Sequence, residues 1–405
     1  MKILITGSDY NALMLSEFIK AQNNRSDIYI TAGGEKDFGG EKKSYTSVNI
    51  KENDIEALRD FVKYNQIELT IAASPLSIIN GIADAFIKEG FPIVSPTLDA
   101  ARITFFNSTA KKVMYKLNIN TPKFGIFDRE NIAADYIRHA KFPIAAVNDF
   151  TLNERIRKKY FTYKSARAAL NEIFENRNEK IVIENYIDEE PVYIYFLADG
   201  YNAAPLITLE RREGKNFAAL KAPSGRLSLR QIEEIKQRAV YPLLDDILTY
   251  DNENYTGILG LKIIPSVHGE YFGNKNNFYV LEYYNMFQGY DIQAFLPLLD
   301  EDFALLAEQA ALRQFDEHRT AELNGLASYT LAVKKASAVN VSSKTVFDND
   351  DEDYFISEDR ENIIITKTSA AMSCAEKNVK EYAASICRED IFNEILAETK
   401  EELRV

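Results

Sequence analysis

KILITGSDYNALMLSEFIK (residues 2–20) reads as a strand, a tight turn and a helix. Its first five residues are a short β-branched apolar run, the mark of a strand covered on both faces in a parallel sheet. Gly7 and Ser8 make the turn, and Leu13, Leu15, Phe18 and Ile19 supply the apolar positions of the helix. Working outward, the motif recurs. DIYIT (27–31) is a second strand, and DIEALRDFVKYN (54–65) is a helix whose leading Asp54 suits an N-cap. ELTIAA (68–73), GIADAFIKEG (81–90) and PIVSP (92–96) continue as strand, helix, strand. Such alternation predicts a parallel, doubly wound α/β unit ending near Pro96.

The texture then becomes α+β. Leu98–Leu117 is largely helical, TPKFGIF (121–127) is a loop and strand, and FPIAAV (142–147) is a short strand between two helical patterns in residues 132–178. KIVIENYI (180–187) leads into PVYIYFLADG (191–200) and NAAPLITLERR (202–212), a hairpin turned at Asp199-Gly200. A long helix is expected from Ser228 to Tyr250, followed by strands in TGILGLKIIPS (256–266) and NFYVLEYYNMF (277–287). The tail carries strands SYTLAVKK (328–335) and NIIITKT (362–368) and the helix AEKNVKEYAASICRED (375–390). The acidic run FDNDDEDYF (347–355) has Asp353 where a calcium loop needs Gly, and reads as a solvated loop.

The composition narrows the class. The 405 residues carry a net charge of −13, which repels phosphate backbones and excludes nucleic acid as the main partner. No apolar run approaches the ~18 residues of a membrane span. Nothing at the N-terminus reads as a signal peptide. Cys374 and Cys387 lack metal-ligand spacing and read as free thiols of a reducing, cytoplasmic compartment. His139, His268 and His318 are scattered surface residues.

Several segments resemble the glycinamide ribonucleotide synthetase (phosphoribosylamine–glycine ligase) branch of the ATP-grasp ligases. They are VNIKENDIEALRDFVKYNQIELTIA (48–72), NGIADAFIKEGFPIVSPTLDAA (80–101), IVIENYIDEEPVYIYFLADG (181–200), NYTGILGLKI (254–263), YVLEYYNMFQGYDIQ (279–293) and CREDIF (387–392), in family order. The resemblance implies a Rossmann-like N-terminal domain (1–97), an ATP-grasp core of a larger subdomain (98–120 and 183–323) and a smaller one (121–182), and a small β-rich C-terminal domain (324–405). It also implies ATP and Mg2+ (or Mn2+), a ligation through an acyl phosphate in purine biosynthesis, and small-molecule partners: a nucleotide, an amino acid and a sugar phosphate. A monomer or homodimer is expected, with no membrane or nucleic-acid partner.

Carried over residue by residue, the resemblance places adenine and ribose against Glu184, Tyr186, Ile187 and Glu190, and metal on Glu282 and, through a one-residue bulge, Asn285. Asp291 falls where the family has its last Glu. Gly7 and Ser8 would meet the sugar phosphate at a helix start, with Arg388 and Asp390 nearby. The phosphate side departs from the family. Asn107 and Val147 stand where its two lysines are expected, with Lys111 or Lys112 reached only by a shift, and 142–161 holds no glycine. A loop without glycine brings its backbone less close to phosphate. Arg155 and Arg157, with Lys158 and Lys159, are candidates for a side-chain clamp; the alternative is a solvated basic helix face. Two readings follow: a divergent ligase with an eroded phosphate site, for this or another amine and acid, and a non-catalytic paralogue that binds or assembles.

Overall fold

A computed structural model describes residues 1–31, 45–152, 157–177, 180–250, 254–265, 278–335, 354–359 and 361–387. The N-terminal unit is a five-stranded parallel sheet of β1 (Lys2–Thr6), β2 (Asp27–Thr31), β3 (Thr46–Val48), β4 (Leu69–Ala72) and β5 (Ile93–Val94), in the order β3-β2-β1-β4-β5. Ile3 and Ile5 join one buried cluster while Leu4 joins another, so β1 is covered on both faces. Gly7 follows with φ +136°, and a Cβ there would lie 3.0 Å from the Ala73 carbonyl oxygen, so glycine is needed at this turn. Asp9 then caps helix Tyr10–Gln22, its Oδ1 accepting the Ala12 N–H at 3.1 Å.

The second sheet is antiparallel: β6 (Phe124–Phe127), β7 (Ile144–Asn148), β8 (Arg157–Tyr160) and β9 (Ile181–Asn185), ordered β6-β9-β7-β8. Ile144, Ala146, Ile181 and Ile183 pack into the core that includes Ala133 and Ile137 of helix Glu130–Arg138 and Ala166 and Leu170 of helix Tyr163–Arg177. Side chains alternate across a strand. Ala145, Val147 and Glu184 therefore face the other way, with Arg157 beside Val147. One expectation is corrected here: residues 157–159 are strand, not a basic helix face. Strand β9 pairs within this smaller sheet.

The third sheet has eight strands, ordered β14-β13-β10-β11-β12-β15-β17-β16. They are β10 (Val192–Asp199), β11 (Ala203–Glu213), β12 (Phe217–Ala222), β13 (Thr256–Pro265), β14 (Phe278–Tyr284), β15 (Ala327–Lys334), β16 (Tyr354–Glu358) and β17 (Asn362–Ser369). The C-terminal strands extend the large sheet through the β12–β15 pairing. On β10, Ile194 and Phe196 join the core with helix Tyr241–Leu248, while Tyr193 and Tyr195 lie in the opposite cluster. The expected long helix over 228–250 is present with a π-helical turn at Lys236–Val240. Among the described residues, no helix is long and apolar enough to cross a membrane.

Candidate functional site

A register shift between β13 and β14 aims the central carboxylate. Lys262 pairs with Glu282 and Ile263 with Val280, leaving Leu281 as an extra residue on β14. One added residue reverses the alternation of faces. Val280 and Tyr283 therefore both lie in the helix-side core, and Glu282 is turned away from it. Leu281 packs with Tyr279, Ile264 and Ile187, all buried, in a small apolar cluster at the hinge.

Four charged side chains converge beside this cluster. Lys111, on helix Asn107–Lys116, is 1 % exposed and places Nζ 2.8 Å from Glu184 Oε2. It also donates to Thr121 Oγ1 at 2.7 Å and to the carbonyl of the bulged Leu281 at 3.1 Å. Arg157 Nη1 lies 2.5 Å from Glu184 Oε1 and 3.3 Å from Glu282 Oε1. Tyr284 donates its hydroxyl to Glu282 Oε2 at 2.6 Å. Burial lowers the Lys111 pKa, with Glu184 acting against it. Burial acts on Arg157 in the same sense, but Glu184 and Glu282 outweigh it and the guanidinium pKa is raised. The cluster thus joins two cations and two carboxylates, formally neutral and nearly dry. A second buried pair lies further along: Arg211 Nε donates to Asp291 Oδ1 at 2.9 Å, Nη2 bonds Oδ2, and Tyr195 donates to Oδ2 at 2.6 Å.

The expected hinge residues are brought together in part. Ile187 is in the apolar cluster and Glu184 in the charge cluster, while the Tyr186 ring lies under Lys159 Nζ at 4.0 Å. Glu190 is engaged through its carbonyl, which accepts from Arg226 at 2.6 Å. The metal pair is not brought together by the strand. The bulge falls at Leu281, before Glu282, so Tyr284 shares the face of Glu282 while Asn285 lies past the strand end. Asn107, at the first lysine position, donates to the Asn148 carbonyl at 2.7 Å, and its neighbour Ser108 is held by buried Asp149. At the sugar-phosphate position, Gly7 donates its N–H to Thr31 Oγ1 at 2.8 Å, and the Asp9 carboxylate caps the helix start beside Ser8. Arg155, Arg388 and Asp390, and the acidic run up to 353, lie outside the described residues.

Lys111 is the site residue undervalued by the sequence. The buried positions Asn107, Ala110, Lys111 and Met114 follow the spacing of a core-facing helical stripe. A lysine in such a stripe needs a buried anion, and that is the signal that could have found it.

Beside the charge cluster, an inter-domain pocket of about 240 Å³ opens between the N-terminal turn and the end of β14. Asp9, Asn11 and Pro75 line one side, and Tyr284 through Gly289 the other.

This arrangement of a parallel N-terminal unit and two sheets meeting across a hinge is the ATP-grasp fold. Within it, residues 1–104 match the phosphoribosylglycinamide synthetase N domain. The phosphoribosylamine–glycine ligase of Caldanaerobacter subterraneus subsp. tengcongensis is 25% identical over 326 residues, 76% of this chain and 74% of that protein. The Thermotoga maritima phosphoribosylamine–glycine ligase structure superimposes with a TM-score of 0.72 at 13% identity, covering 96% of this chain and 98% of that one. N5-carboxyaminoimidazole synthase from Aspergillus clavatus, solved with ADP and 5-aminoimidazole ribonucleotide, gives 0.65 at 12% identity, covering 97% of this chain and 98% of that one. Over most of its length the chain is similar to the phosphoribosylamine–glycine ligases.

The described residues, in this arrangement, do not fit Mg-ATP. Both oxygens of Glu282 are engaged, one by Arg157 and one by Tyr284. Both oxygens of Glu184 face cations. Among the described residues, no group of three His, Cys, Asp or Glu side chains is placed to hold a metal ion. A neutral, internally paired cluster offers neither the net positive lining a triphosphate requires nor the open carboxylates a magnesium ion requires.

Proposed function

We propose that this protein is a non-catalytic paralogue of the phosphoribosylamine–glycine ligases. Its nucleotide cleft is held shut by its own ion pairs, and its inter-domain pocket serves small-molecule binding. One observation carries the reading: a single guanidinium, that of Arg157, lies against both Glu184 and Glu282. It puts a covalently attached cation where the resemblance places the metal. Opening the cleft to nucleotide would strip a buried carboxylate of its partner, which costs several kcal/mol per uncompensated ion. The test is phosphate release from Mg-ATP with glycine and a panel of other amine–acid pairs. The reading expects no release above the protein-free control; substrate-dependent release would overturn it.

A second reading has its own observation. Arg157 stands directly across the ladder from Val147, one of the two lysine positions. If Arg157 serves as a transplanted phosphate ligand in a divergent ligase of the purine pathway, the protein binds Mg-ATP and Arg157→Ala abolishes that binding.

A further inference from the structure

The inter-domain pocket has a chemistry of its own. Asp9 is the only formally charged side chain among the described residues that line it. The carboxylate sits at the first turn of helix Tyr10–Gln22, where it accepts the Ala12 N–H. A negative side chain therefore holds the position at which a helix start would otherwise receive a ligand's phosphate. Two further lining residues carry buried polar atoms without a protein partner. Asn285 is 8% exposed and its Nδ2 has no acceptor. Asn11 donates its Nδ2 to the Phe287 carbonyl at 3.2 Å, while its Oδ1 has no donor. A buried amide group left unpaired is costly, so each marks a place where a bound group completes the structure. The remaining wall near Asn285 is apolar, with Met286, Phe287 and Leu152.

We infer that this pocket binds a small, unphosphorylated amine in its ammonium form. The ammonium pairs with Asp9, a ligand hydroxyl or carbonyl accepts from Asn285 Nδ2, and a ligand N–H or O–H donates to Asn11 Oδ1. The cavity of about 240 Å³ lies below the ~300–1,000 Å³ of drug-sized ligand sites, which suits a metabolite of monosaccharide or amino-acid size. A phosphorylated amine is rejected, because with its ammonium on Asp9 its phosphate finds no cationic side chain among the described lining residues. The inference rests on the proposed function for the role of the pocket, though not on the state of the nucleotide cleft.

Ligand-observed NMR on the full chain, without nucleotide, tests it with matched probes: glucosamine, N-acetylglucosamine and glucosamine 6-phosphate, alongside ethanolamine and ethylene glycol. Millimolar binding is expected for glucosamine and ethanolamine and not for their neutral or phosphorylated counterparts. Asp9→Asn keeps a good helix cap while removing the charge, and it weakens amine binding about tenfold to a hundredfold. Asn285→Ala, a second variant, weakens glucosamine more than ethanolamine. Equal binding of the neutral or phosphorylated probes, binding unchanged in Asp9→Asn, or no amine binding at all overturns the inference. Mg-ATP titration of the same sample separates the two claims: nucleotide binding with amine binding intact sinks only the proposed function, and amine failure without nucleotide binding sinks only this inference.

Discussion

Arg157 and Val147 stand directly opposite one another on adjacent antiparallel strands, so the two side chains share one face of the smaller sheet. The position where the family's lysine is expected is apolar, and a cation from the neighbouring strand projects over it. That cation ends on carboxylates of both sheets, Glu184 of the smaller and Glu282 of the larger. Under the proposed function, the relation ties the loss of the expected phosphate ligand to the closing of the cleft.

The first prediction follows from removing this cation. In Arg157→Ser, Glu184 keeps Lys111 but Glu282 loses the guanidinium that lies 3.3 Å from its Oε1. Oxygen ligands without a built-in cation suit a hard divalent ion. The variant is expected to bind Mn2+, read by electron paramagnetic resonance, where the parent chain gives only the free-ion signal. Equal Mn2+ uptake by parent and variant would count against Arg157 as the resident cation.

Lys111 offers a stability test. Lys111→Met leaves the fully buried Glu184 with one cation in place of two. Truncating one partner of a buried pair costs about 3–5 kcal/mol, whereas replacing both partners with apolar side chains is close to neutral. Urea denaturation is expected to show that loss for Lys111→Met and to recover most of it in Lys111→Met with Glu184→Leu. A single variant as stable as the parent would show that the pair does not hold the cleft together.

These side chains also mark the limit of what the sequence disclosed. The N-terminal unit was legible because each strand is a short β-branched run and each helix carries its own punctuation. Asp54, read as a cap, does accept the Ala57 N–H at 3.2 Å. The turn at Asp199-Gly200 was legible because Gly200 takes φ +100°. β8 was hidden because RKKY has no apolar alternation to set it apart from a solvated helix. The bulge at Leu281 was hidden because register is a property of two strands, and neither sequence alone records it. Lys111 fell four residues from the aligned lysine position, and only the fold shows that this places it one helical turn deeper into the cleft.

The cysteines give a pH-dependent prediction. Burial pushes the Cys387 thiol from 9.0 up to about 11. A raised folded-state pKa means the fold favours the protonated thiol. Its contribution to stability is therefore whole below pH 9 and is lost as pH rises from about 9 towards 11. Cys374 is exposed. Iodoacetamide at pH 8 is expected to label Cys374 first, with Cys387 labelled at a comparable rate only after denaturation, as read by peptide mass spectrometry. Equal rates in the folded chain would contradict the burial of Cys387.

Under the proposed function, side chains have taken the place of nucleotide and metal. Isothermal titration of the full chain with Mg-ATP, carried to millimolar nucleotide, addresses this most directly. Self-occupation of the cleft by Lys111, Glu184, Arg157 and Glu282 predicts heats indistinguishable from dilution. A saturable isotherm in that range, lost in Arg157→Ala, would contradict it and return the protein to the nucleotide-dependent ligases.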